Sequence, residues 1–152
     1  MQIWEKFKQL WKHYIFQSFL AGFAIFVVVL AIGEEKVVVT ASMAATAFIC
    51  FAMPTSVSAQ TRNVIGGHLV ALVCGALFAF IPLPYYAEFP LVVGLVIFLM
   101  VALDVEHAPA AGTALAVTIN EVTLTTAAVV LIGAVVLTQC RYHMKNVLKD
   151  LI

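Results

Sequence analysis

An all-α, polytopic membrane helix bundle is the fold class this sequence predicts, and three observations predict it. Hydrophobic residues make up 64% of the chain and charged residues 11%, against roughly 45–50% and 25% in soluble domains. Mean hydropathy is +1.08. The apolar residues gather into six segments, some of them short, separated by breaks that carry polar residues, glycine or proline, in the order long, short, long, then the same order again. A chain of 152 residues accommodates one such bundle and no separate soluble catalytic domain. Its formal net charge of zero supplies no basic field for nucleic acid, so the expected surroundings are the lipid bilayer.

The first element is different in kind from the rest. In "MQIWEKFKQLWKHY", Ile3, Trp4, Phe7, Leu10, Trp11 and Tyr14 recur at steps of three and four residues, while Lys6, Lys8 and Lys12 fill the opposite face. Indole and phenol rings favour the headgroup zone and lysines favour anionic inner-leaflet lipid. The pattern predicts an interfacial amphipathic helix over 1–14. A secretory signal peptide is the competing reading; the apolar stretch from Ile15 to Ile32 is longer than the usual signal core, and no polar mature domain follows.

The transmembrane bundle is expected over 15–140, in segments Ile15 to Ile32, Val37 to Met53, Val64 to Ile81, Glu88 to Leu103, Ala108 to Ile119 and Thr123 to Gln139. Residues 141–152 form a cytoplasmic tail. A twelve-residue helix reaches about 18 Å at 1.5 Å per residue, short of the ~30 Å hydrocarbon core. The Ala108 segment therefore does not span alone as a lipid-facing helix. Broken backbone at membrane depth persists where protein or a wet cavity satisfies it.

Two of the breaks look related. Laying Val38 to Phe48, "VVTASMAATAF", over Val105 to Leu115, "VEHAPAAGTAL", pairs Val38 with Val105, Ala41 with Ala108, Ala44 with Ala111, Thr46 with Thr113 and Ala47 with Ala114. This predicts an internal duplication, with repeats over about 15–81 and 88–139, although alanine-rich segments also match by chance. Paired broken helices that meet near the midplane are the layout of many transporters. Thr46 and Thr113 are then expected to face one another across a shared site, the alternative being that each bonds back to a carbonyl of its own helix.

Lys6, Lys8 and Lys12 at one end and Arg141, Lys145 and Lys149 at the other place both termini in the cytoplasm, with an even number of crossings. Six crossings put Arg62 inside. Four crossings with two re-entrant hairpins put it outside. A bacterial inner membrane is the expected location.

Arg62 is the only arginine away from the C-terminal tail, and it stands between Gln60 and Asn63 just ahead of a helix. A planar guanidinium beside free helix N–H groups suits a small oxyanion; the plainer reading is a loop arginine at the inner headgroups. His68, inside the third segment, either faces the bundle interior or an aqueous path, or simply hydrogen-bonds a neighbouring helix. His107 opens the short second-repeat helix close to Asp104 and Glu106, an arrangement that suits proton handling and equally the helix dipole. Thr113 and Asn120 would line the site. Gly67, Ala71, Gly75 and Ala79 recur every four residues, a stripe for close helix contact. Cys50, Cys74 and Cys140 lack metal or disulfide spacing, and no metal or other cofactor is expected. Nor is an enzyme: no nucleophile sits at recognisable spacing from a base.

"PTSVSAQTRNVIGGH", Pro54 to His68, followed about forty residues later by "HAPAAGTAL", resembles the HPP family of small integral membrane proteins, named for a His-Pro-Pro motif. The resemblance extends from about Gly22 to Val136. It implies four transmembrane helices, and an association with nitrite transport known for chloroplast and cyanobacterial members. Here Ala108 stands in place of the motif's first proline, with Pro109 retained, and Val57 and Thr61 stand where prolines are expected. These departures bear on substrate identity rather than fold. The function expected is transport of a small inorganic anion, nitrite first, through a site built from Gln60, Arg62, Asn63, His68, His107, Thr46, Thr113 and Asn120. An anion channel and a non-transporting assembly subunit are the alternatives. Small-residue faces on so small a bundle also lead us to expect a homo-oligomer.

Overall fold

The computed structural model describes residues 3–33, 37–120 and 123–152, without the side chains of Ile3 and Asn120. Six helices follow one another: α1 (Ile3–Ile32), α2 (Val37–Ala52), α3 (Thr61–Phe78), α4 (Tyr85–Ala102), α5 (Pro109–Asn120) and α6 (Leu124–His143), with a 3₁₀ turn at Val57–Ala59. No strand occurs among the described residues. By length and composition α1, α3, α4 and α6 are able to cross a membrane, whereas α2 and α5 are shorter apolar helices. Large side chains such as Phe19, Phe26, Phe98 and Ile132 are exposed around the perimeter, as expected where the surrounding solvent is lipid.

Several boundaries differ from the sequence reading: α3 ends at Phe78 and not Ile81, α4 starts at Tyr85 and not Glu88, and α6 runs on to His143 past Gln139. Residues 3–14 are not a helix of their own, because α1 continues unbroken through Tyr14 for 30 residues. At 1.5 Å per residue that is about 45 Å, longer than the hydrocarbon core, and the aromatic and lysine-bearing first turns are continuous with the apolar stretch that follows. Helix α3 begins at Thr61, so Arg62 and Asn63 lie inside its first turn and not ahead of it.

The two short helices sit at the centre and run antiparallel, Ser42 beside Thr113 and Thr46 beside His107. Around them α1 packs on α2, α4 on α5, α3 on α5, α2 on α6, and α3 on α6. Val39, Met43, Phe51, Val64, Val130 and Ala134 fill one apolar core. Ala71, Cys74, Val92, Val96, Ala110 and Ala114 fill a second, between α3, α4 and α5. The small-residue stripe explains why α3 and α5 approach so closely. A Cβ on Gly67 would lie 2.8 Å from the Cβ of His107, and one on Gly75 would lie 2.6 Å from the carbonyl oxygen of Ala114. Ala71 between them is fully buried, while Ala79 is half-buried past the contact.

Chain ends are tied together at one end of the bundle. The buried Gln17 amide donates to the carbonyls of Phe51 and Lys149 and accepts from the Lys149 amide at 3.1 Å. Leu151 N donates to Ala52 O at 2.9 Å, and Arg141 donates to Pro54 O at 2.7 Å. Replacing Gln17 with leucine leaves the buried Phe51 carbonyl without that donor and frees the part-buried Lys149 carbonyl, a cost of about 1–3 kcal/mol. Limited proteolysis of the Gln17→Leu protein is expected to cut the tail after His143 well before the helices, at protease levels that leave the wild-type tail intact.

Candidate functional site

The site starts from the way α4 ends. Asp104 takes the left-handed conformation, φ 56°, and the amides of Val105 and Asp104 close back onto Met100 O at 2.9 Å and Val101 O at 3.2 Å. This is the Schellman arrangement, with aspartate where glycine is commoner. Arg62 holds that turn: its guanidinium donates to the Asp104 carboxylate at 2.6 Å and to Leu103 O at 3.1 Å. Asn63 Nδ2 reaches Glu106 O at 3.4 Å. The reversed chain then presses against the glycines of α3, where Val105 covers Gly66 and His107 covers Gly67. Pro109 opens α5 at the first helical position, where its fixed φ and missing N–H suit a helix start.

This turn delivers His107 into the bundle, fully buried. Its Nδ1 donates to Ser58 O at 2.8 Å and lies 3.3 Å from Ser58 Oγ. Its Nε2 is 3.0 Å from Thr46 Oγ1. His68, one turn below Val64 on α3, meets the same hydroxyl through Nε2 at 3.0 Å and meets Thr113 Oγ1 through Nδ1 at 2.9 Å. Ser42 Oγ continues the chain to Thr113 Oγ1 at 2.7 Å and to Pro109 O at 2.6 Å. Thr46 also bonds back to Ser42 O, 3.0 Å away. The two imidazoles lie 5.1 Å apart, tilted by 59°.

Ser42, Thr46, His68, His107 and Thr113 are all buried, and only Ser58 is half-buried, toward the turn that ends at the exposed Gln60. The result is one hydrogen-bonded polar chain across the contact of α2 with α5, within helices that are mostly apolar. No group of three or more metal-ligating side chains occurs among the described residues.

Of the residues singled out in the sequence, Thr46, His68, His107 and Thr113 come together. Thr46 and Thr113 do not touch; one imidazole, that of His68, bridges them. Arg62 and Gln60 are exposed and outside the cluster, and Asn63, though buried, serves the 103–108 turn. Asn120 is the last residue of α5, and its side chain lies outside the described residues. Ser42 and Ser58 were missed. Ser42 precedes Thr46 by four residues, so helical spacing alone puts both on one face. Ser58 carries no such signal, since only the path of the 53–60 segment brings it to His107.

Because the Arg62–Asp104 pair is well exposed, 61% and 71% by side chain, it contributes about 0–1 kcal/mol. Arg62→Ala is expected to leave the unfolding midpoint of the purified protein nearly unchanged. A large drop would show that the guanidinium carries more of the 103–108 turn than an exposed pair does.

The family model described as "HPP, transmembrane region" matches residues 7–150. No curated protein and no solved structure matches the chain.

Proposed function

The chain belongs to the HPP transmembrane family, and on that premise we propose that it carries a small inorganic anion across the membrane, with nitrite the first candidate. The observation that carries this reading is the buried Ser42–Thr46–His68–His107–Thr113 cluster. Polar side chains in apolar spans are costly to retain and mark substrate or ion pathways. Here they collect where two short helices cross, the position transporters built from repeats use for their sites.

The packing supports an inverted repeat in which α1, α2 and α3 correspond to α4, α5 and α6. Under that exchange α1 on α2 becomes α4 on α5, α2 on α6 becomes α5 on α3, and α2 on α5 maps onto itself. The self-contact joins equivalent positions, since Ser42 aligns with Pro109 and bonds its carbonyl. Six alternating traversals, with both termini cytoplasmic, fit this exchange. They bring Arg62 to the end that carries Lys6, Lys8, Lys12, Arg141, Lys145 and Lys149, as the positive-inside rule favours, while Lys36, between the first two segments in sequence, counts the other way. A bacterial inner membrane remains the proposed location, a homo-oligomer the proposed assembly, and transport without enzymatic chemistry the proposed activity.

A second reading, a non-transporting assembly subunit, draws on the same cluster: both nitrogens of His68 are already bonded within the protein, as in a structural latch. Anion flux separates the two. Liposomes holding the purified protein are expected to take up nitrite saturably, above protein-free vesicles, with nitrate, formate and chloride ranked by size and basicity. Equal uptake in both vesicle sets for all four anions would leave the latch.

A further inference from the structure

Hydrogen positions in the cluster follow from its partners. A carbonyl only accepts, so His107 Nδ1, 2.8 Å from Ser58 O, carries a hydrogen. Three acceptor-capable groups then converge on the Thr46 hydroxyl: Ser42 O, His68 Nε2 and His107 Nε2, each 3.0 Å away. A hydroxyl has one hydrogen and two lone pairs. With both imidazoles neutral, His107 Nε2 is a bare lone pair that takes the Thr46 hydrogen, while Ser42 O keeps the backbone N–H of Thr46 within α2. One more proton, on His107 Nε2, is accommodated without stranding any donor: both Nε2–H groups donate to Thr46, and the Thr46 hydroxyl turns to Ser42 O, which can accept a second hydrogen. His68 Nδ1 then accepts from Thr113, 2.9 Å away. The Ser42 hydroxyl, within reach of Thr113 Oγ1 and Pro109 O, supplies the last donor.

The charges around this unit point the same way. Its neighbours on α2, on α5 and in the Val57–Ala59 turn are hydroxyls and carbonyls. Arg62, Asp104 and Glu106 are exposed at the surface, Arg62 and Asp104 paired with each other. A monovalent anion entering alone would bring an uncompensated charge to buried surroundings, which is strongly unfavourable. A lone imidazolium there is disfavoured for the same reason. Together they compensate.

We propose that His68, Thr46 and His107 form a proton-binding site, and that a small oxyanion enters the cluster together with one proton, its charge matched by the imidazolium of the pair. This rests on the transport reading above. The proton comes from hydronium on the side the anion enters, an O–H bond breaking as the N–H bond forms, and returns to water on the side it leaves by the reverse exchange; nothing is oxidised or reduced, and no net charge crosses. Coupling is reciprocal, so the anion raises the affinity of the pair for its proton by the factor by which the proton raises affinity for the anion.

The test is ¹⁵N NMR of histidine-labelled protein in zwitterionic nanodiscs at neutral pH, where imidazole nitrogens distinguish imidazolium from each neutral tautomer. His13, His68, His107 and His143 are assigned by single glutamine substitutions. Without anion, His107 is expected to be neutral with its hydrogen on Nδ1. Saturating sodium nitrite, against sodium gluconate, is expected to convert one member of the pair to imidazolium, and Thr46→Val, which keeps both rings, to abolish that conversion. Nitrite-dependent shifts with both rings still neutral would overturn the proton and leave anion binding standing. An imidazolium already present without anion would overturn the coupling. No response to nitrite, nitrate, formate or chloride, with no flux of any, would overturn the transport reading and this inference together.

Discussion

Thr46→Val is expected to lower nitrite flux at least about tenfold, the change that roughly 1.4 kcal/mol of lost stabilisation produces, and to destabilise the protein by about 1–3 kcal/mol. Valine keeps the shape of threonine, so no cavity opens. What disappears is the one hydroxyl on which His68 and His107 converge, leaving two buried imidazole nitrogens facing a methyl group. Thr46→Ser restores the hydroxyl and is expected to recover most of both losses. Thr113→Val removes a partner from His68 alone among the imidazoles, so its effect is smaller. Because both threonines act through the His68 ring, the double variant is expected to lose less than the sum of the singles. Flux and thermal unfolding on the four proteins check this, and additive losses would mean that the two threonines act independently.

Gly75→Ala is expected to be the most damaging single-methyl change in the bundle. The added Cβ would lie 2.6 Å from Ala114 O and 2.6 Å from Val117 Cγ1. The first of these is backbone of α5 and cannot rotate away, so α3 and α5 must separate, at a cost of about 1–3 kcal/mol. Since α5 also carries Thr113, the shift pulls a partner off His68, and flux is expected to fall along with stability. Gly112→Ala is the control. A Cβ there meets nothing closer than Ser42 Cβ at 3.5 Å, ordinary contact, and the higher helix propensity of alanine offsets what little strain remains. If the two variants unfold at the same temperature, the close α3–α5 approach is not what the stripe on α3 provides.

Helix content was legible because apolar run length and glycine or proline punctuation are local properties. The expected segment Ala108 to Ile119 falls within a residue of α5, and Val37 to Met53 within a residue of α2. The amphipathic pattern of the first fourteen residues was legible too, but periodicity says nothing about whether a helix breaks at Tyr14, and α1 does not. At the site, His68, His107, Thr46 and Thr113 were visible as polar residues in apolar runs. Arg62 was visible as the one arginine away from the tail, in a polar break, and is placed otherwise. Its partner is an aspartate forty-two residues on, held in a left-handed turn that no sequence period announces. Ser58 was illegible because its role is set by the path of an irregular segment.

The central claim is that the buried cluster, and not the exposed arginine, is where the anion passes. Initial nitrite uptake into liposomes, in mildly alkaline buffer to suppress leak of the neutral acid, tests it most directly on three proteins side by side: wild type, Thr46→Val and Arg62→Ala. The account predicts saturable uptake by wild type, retained in Arg62→Ala and lost in folded Thr46→Val. Uptake that survives in Thr46→Val and disappears in Arg62→Ala would contradict it.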